Sequence, residues 1–167
     1  NLVRLTEESE KPNADRLPEF TDARRSSLEG TLFASAPFYE DFERMKLANS
    51  LTLMRDTYGA NHQLVQKVLK GKTPEARAAE LIDGSKLQDV EFRRQLAKGG
   101  KAAIEASNDP MIQLARSIDK ESRVARKRYE DEVLGVERIS YAKIAQALFE
   151  TEGTKLYPDA TFTLRLS

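Results

Sequence analysis

The sequence predicts an all-α protein: an irregular multi-helix array with one very long C-terminal helix, ending in a single β-strand that belongs to a following β domain. Three observations carry this expectation. Apolar residues recur every three or four positions over most of the chain, the mark of helices with one buried face. Gly59, Gly71, Gly84, Gly99 and Gly100 punctuate those runs, which suits many short helices better than a simple four-helix bundle. Only Thr161 to Leu166 alternates with period two, Thr-Phe-Thr-Leu-Arg-Leu, as a strand does.

Taken in order, Leu2, Val3 and Leu5 precede Glu7, Glu8 and Glu10 and read as the tail of an element whose partner is expected upstream. From about Ala14 to Ala34, Leu17, Phe20, Leu28, Leu32 and Phe33 lie at helical spacing, with the regular part starting at Pro18. Ser35-Ala36-Pro37 breaks that run. Phe38, Phe42, Met45, Asn49, Thr52 and Tyr58 mark a second helix, closed by Gly59, and the two are expected to form an antiparallel hairpin. A short helix follows Asn61, with Leu64, Val65, Val68 and Leu69 closed by Gly71; Thr73-Pro74-Glu75 opens another, closed by Gly84. Asp89 caps a helix through Val90, Phe92 and Leu96 to Gly99-Gly100, and Ala102 to Ala106 add a further turn or two.

The organising element runs from Ser107 to Glu150. Asp109 stands at its N-cap and Pro110 at its first turn, where a missing N–H costs nothing. Met111, Ala115, Ile118, Ser122, Ala125, Tyr129, Val133, Val136, Ser140, Ile144 and Ala147 form an apolar-or-small stripe that the other helices are expected to cover. About forty residues at about 1.5 Å each make a rod of about 60 Å, longer than a compact domain of this size is wide. Gly135 is its weak point, where a kink or a division into two helices is expected. After Gly153, Leu156-Tyr157-Pro158-Asp159-Ala160 reads as a turn into the lone strand. A strand without a neighbour leaves its backbone groups unpaired, so the chain is expected to be cut from a larger protein, with residues 1–153 a partial helical domain and 154–167 the re-entry into a β domain. The opening Asn-Leu-Val-Arg, with neither methionine nor signal-type segment, carries the same expectation for the N-terminus.

Composition selects no ligand. Lys plus Arg equals Asp plus Glu at 27 each, so no global field favours nucleic acid or an anionic membrane. No apolar run approaches membrane-spanning length, and the absence of cysteine excludes disulfides and thiolate metal sites. The single His62 reads as an exposed helix-start residue, and no Glu-x-x-His pair supports a metal. Gly84-Ser85 lacks the sequel of a nucleophile elbow, and Lys98-Gly99-Gly100-Lys101 lacks both the strand and the spacing of a phosphate loop, leaving a helix–helix turn. Arg116, Arg123, Arg126, Lys127 and Arg128 make the long helix locally basic, but Glu121, Glu130, Asp131 and Glu132 interleave with them as a solvated face. No catalytic, cofactor-binding or metal residue is assigned, and no cofactor is expected.

Three stretches stand out together: Asp109-Pro110-Met111-Ile112-Gln113-Leu114-Ala115-Arg116, Arg126-Lys127-Arg128-Tyr129-Glu130-Asp131-Glu132-Val133, and Tyr157-Pro158-Asp159-Ala160-Thr161-Phe162-Thr163-Leu164-Arg165-Leu166. They resemble the bacterial serine dipeptidyl-peptidase family that includes dipeptidyl-peptidases seven and eleven. The resemblance continues upstream through Arg44 to Leu51 and Arg77 to Leu81. It implies a periplasmic or cell-surface, generally homodimeric exopeptidase acting on peptide N-termini, in which a helical insertion roofs the cleft of a chymotrypsin-like double β-barrel. By that resemblance this chain is the later part of the insertion plus the first strand back into the barrel. The family's histidine and aspartate lie upstream and its Gly-Asn-Ser-Gly-Ser-Pro serine stretch downstream; neither motif occurs here, so no catalytic residue carries over and the chain alone should be inactive. The expected function is a helical lid of a serine dipeptidyl aminopeptidase with peptide as the parent's substrate. The alternative is an autonomous helical interaction module that binds a partner helix along the Met111 to Ala147 stripe.

Overall fold

The computed structural model describes residues 1–153, and these are helical with no strand among them. The turn at 156–160, the strand at 161–166 and the domain boundary after Gly153 lie outside the described residues. Contacts group the chain into two units, Asn1–Asp119 and a second beginning at Lys120.

In the first unit, α1 (Leu2–Ser9) buries Leu2, Val3, Leu5, Thr6 and Glu8. It packs against α6 (Val90–Ala106), whose Leu96 and Ile104 join Leu2, Val3 and Ile112 in one core. The expected helix from Pro18 to Ala34 is shorter. Three 3₁₀ turns, Asn13–Asp15, Pro18–Phe20 and Asp22–Arg24, precede an α-helix limited to α2 (Arg25–Leu32). Extended backbone at Pro12, Arg16, Leu17 and Thr21 separates the turns, and proline imposes that geometry on the Leu17 before it. The fully buried Glu8 holds this segment down, accepting the Leu17 N–H at 2.9 Å and the Lys11 ammonium at 2.7 Å.

The expected hairpin between the 14–34 region and the next helix is not the pairing that forms. α3 (Glu40–Tyr58) packs against α4 (Gln63–Leu69) and α5 (Pro74–Asp83). It turns inward Leu47, Ala48, Leu51 and Met54, and the second core is Leu51 with Val65, Val68, Leu69 and Ala78. Phe38, Phe42, Met45 and Tyr58, expected on the buried face, are exposed. Two apolar sets at helical spacing were available on this helix, and the flatter aliphatic one packs against α5. Arg44 fastens α3 to α5, donating to Glu40, Asp41 and, at 2.5 Å, to Asp83 at the end of α5.

The punctuation falls where its chemistry places it. Thr73 Oγ1 accepts the Ala76 N–H at 3.2 Å and Asp89 Oδ1 the Glu91 N–H at 2.8 Å, each capping its helix. α6 continues to Ala106 through a break at Gly100, whose φ of 63° and ψ of −154° no helix interior adopts. Gly84 is required for a different reason: a Cβ there would stand 2.9 Å from both Glu80 O and Pro110 Cγ.

Arg77, only 3% exposed, ties α4 to α5 by donating from Nε to Val68 O at 2.8 Å and from Nη1 to Glu80 at 2.5 Å. The Arg77 guanidinium, and after it Lys72, hold the Glu80 carboxyl below the ordinary glutamate value of 4.5. A carboxylate with a depressed folded-state pKa stabilises above its unfolded-state value, and that contribution is lost as pH falls through the folded-state value. Wild type should therefore lose melting temperature below about pH 4.5 more steeply than Glu80→Gln, and parallel acid limbs of the two melting curves would refute this.

α7 (Pro110–Tyr129) opens in the first unit and serves both cores: Ile112 and Ala115 join the α1–α6 core, and Leu114 and Ile118 the α3–α5 core. From Ser122 onward every residue of the expected stripe is exposed. Stripe spacing alone does not bury a face.

The second unit, from Lys120, holds the rest of α7, a π-helical turn (Glu130–Leu134) and α8 (Gly135–Glu152), with Gly153 at a φ of 56° beyond it. The expected weakness at Gly135 takes the form of that π turn, not of a chain break. The Gly135 N–H reaches back five residues to Glu130 O, and Gly135 itself has ordinary helical angles.

Candidate functional site

None of the residues weighed for catalysis forms a catalytic arrangement. His62 Nδ1 accepts the Leu64 N–H at 3.2 Å and so caps α4, with the Tyr58 ring 5.0 Å from its own. Asn61, read as the start signal, stands one residue outside that cap. Ser85 is buried, and its Oγ donates to the Asp109 carboxylate at 3.0 Å, with no imidazole as partner. Lys98 to Lys101 lies inside α6 at the Gly100 break, and Lys101 pairs with Glu10 at 3.4 Å. No cluster of three or more metal-ligating side chains occurs among the described residues.

The basic stretch of α7 is neutralised along its own helix. Arg126 donates to Glu130 at 2.6 Å, Lys127 to Asp131 at 2.7 Å and Arg128 to Glu132 at 2.8 Å, all at i,i+4 spacing. Such exposed pairs contribute a few tenths of a kcal/mol each. Arg116 is engaged with Glu105 O at 2.9 Å. A cleft of about 500 Å³ adjoins it, bounded by Glu7, Lys101, Glu105 and Arg116; two acids face two bases, so its charge favours neither anion nor cation.

The distinctive surface is α8. From Ile139 to Phe149 only Lys143 is charged, and Val136, Ile139, Tyr141, Ile144, Leu148 and Phe149 are each at least half exposed. At about 100° per residue, Ile139 and Tyr141 stand about 160° apart around the axis and cannot share one face. A helix apolar on all sides is the pattern of an element buried on all sides, and contiguous exposed apolar area of this kind marks an interaction surface. No helix among the described residues is long and apolar enough to cross a membrane.

Against this geometry, the Peptidase S46 family profile matches residues 1–167, the whole of the chain. The chain belongs to the peptidase S46 family. Its resemblance to dipeptidyl-peptidases seven and eleven therefore holds over its full length, and the helical array is a peptidase-related segment. The peptidase S46 assignment also gives α8 a context: an apolar helix on a chain that belongs with a peptidase.

Two features escaped the sequence reading. Asp109 was assigned the N-cap of α7 alone, yet its carboxylate also reaches 24 residues back to the end of α5. The inward face of α3 was assigned to the aromatic residues, although Leu47, Ala48, Leu51 and Met54 carried an equally regular spacing.

Proposed function

We propose that this chain is the helical lid segment of a serine dipeptidyl aminopeptidase that releases dipeptides from peptide N-termini. The observation that carries the reading is the exposed, all-round apolar α8 on a chain matched throughout by a peptidase family. In this reading the first unit is a rigid cap, and α8 is the element by which it seats on a chymotrypsin-like barrel supplied by the rest of the protein. Excluding water from the cleft and limiting entry to a free chain end would convert an endopeptidase architecture to exopeptidase work. The nucleophilic serine, its histidine and its aspartate belong to that other part, which places peptide binding between barrel and lid. The parent would be a homodimer in the periplasm or at the cell surface.

The test is made in the parent peptidase. Ile144→Glu and Leu148→Glu each place a charge in the proposed seat. The value of kcat/KM for a chromogenic dipeptide substrate should fall at least about tenfold, the cost of burying an uncompensated charge being well above 1.4 kcal/mol. Labelling of the active-site serine by a small phosphonate should persist, showing that the barrel is folded. Unchanged kcat/KM in both variants would remove the lid reading, and labelling of residues 1–167 alone by the phosphonate would remove it equally.

A further inference from the structure

The π turn at Glu130–Leu134 has no tertiary cause among the described residues. Its side chains are exposed or half-exposed, and no other element within the second unit packs on it except the helix it interrupts. What maintains it is local. The Gly135 N–H bonds Glu130 O in the wide five-residue turn, and a Cβ at Gly135 would stand only 3.3 Å from that same oxygen. The absence of a side chain at this position thus spares the oxygen that closes the wide turn a tight contact. The ion pairs of Arg126, Lys127 and Arg128 run onto the turn itself, since their partners Glu130, Asp131 and Glu132 are its first three residues, and all three form at i,i+4 spacing with the turn in its π form.

Closing the turn to α geometry would move the Gly135 N–H from Glu130 O to Asp131 O and rotate α8 by about 100° relative to residues 120–129. For an amphipathic helix that rotation would carry the apolar stripe into water. For α8 it would not, because its apolar residues surround the axis: the helix offers an apolar face in either register. The two registers therefore differ by one wide turn against one tight turn, without a packing penalty on either side.

We propose that Glu130–Gly135 is a one-residue register switch: α8 exchanges between a π-turn and an α-turn phase, and whatever covers α8 selects between them. This goes beyond the lid reading and stands without it. The chain contains no cysteine, so spin labels can be attached at Val124→Cys and Ser140→Cys, both exposed positions of the second unit. With labels on the surface of a helix about 10–12 Å across, the two phases differ by roughly 4 Å in label separation. Double electron–electron resonance on wild type should give two separations. Deleting Glu132 removes the extra residue and should retain only the separation of the π phase, while Gly135→Ala, which crowds Glu130 O, should retain only that of the α phase. Circular dichroism of the three proteins checks that each remains helical. A single separation in wild type, or the same distribution in wild type and Gly135→Ala, would overturn the switch.

Discussion

Replacing Asp109 by alanine should destabilise the first unit by about 3 kcal/mol, a loss out of proportion to a position at the edge of a helix. An N-cap carboxylate is worth about 1 kcal/mol, and Asp109 serves that function in the usual way, Oδ1 accepting the Met111 N–H at 3.0 Å and the Ile112 N–H at 3.2 Å. The remainder comes from the other oxygen. Oδ2 accepts the Lys86 N–H at 2.7 Å and the Ser85 hydroxyl at 3.0 Å, where α5 gives way to α6. With Asp109 only 7% exposed, removing the carboxylate leaves buried donors without acceptors, at about 1–3 kcal/mol for the set. For a protein of this size the melting temperature should fall by about 6–12 °C. Asp109→Asn, which keeps the cap oxygen and loses the charge, should fall between wild type and alanine. An alanine variant melting within 2 °C of wild type would show that water replaces the carboxylate at little cost, and that the junction of α5, α6 and α7 is held by apolar contact alone.

The contrast between this residue's legible and hidden roles is general in the chain. Local signals were read correctly where one residue acts on backbone a few positions away: Thr73, Asp89 and Asp109 as caps, Pro74 and Pro110 at first turns, Gly59 and Gly71 at positive φ. Long-range pairings were not legible. Periodicity fixes the angle at which a side chain leaves its helix but not which of two competing faces finds a partner, so α3 was rotated and α2 was paired with the wrong neighbour. The 3₁₀ turns between Asn13 and Arg24 have a related origin. Leu17, Phe20 and Leu28 fit a helical spacing, while Pro12 and Pro18 impose extended backbone between turns, and the buried Glu8 that ties them down was visible only as one acid among three. For the candidate site, the apolar content of α8 was legible and its exposure was not, because stripe spacing implies a covered face and the stripe residues from Ser122 onward are exposed.

That difference in coverage sets the second large expected effect. Leu51→Ala should cost about 3 kcal/mol or more, since Leu51 is 5% exposed at the centre of the α3–α5 core and its removal opens a cavity among Val65, Val68, Leu69 and Ala78. Ile118→Ala, half-buried against the rim of the same core, should cost about 1–2 kcal/mol by the smaller apolar area it withdraws from contact. Tyr129→Ala should change stability by no more than about 0.5 kcal/mol, because the ring is 54% exposed and only a surface helix position is altered. On spacing alone Ile118 and Tyr129 are members of a single stripe; in the structure Ile118 packs against the α3–α5 core and Tyr129 is exposed. The discriminating measurement is chemical denaturation of the three variants side by side, read as the shift in midpoint at constant slope. The order Leu51, Ile118, Tyr129 follows if the α3–α5 core is the stabilising centre of the first unit. A Tyr129→Ala loss equal to that of Leu51→Ala would mean that the long helix carries the fold along its whole length, and that α8 is covered by the chain's own helices in solution.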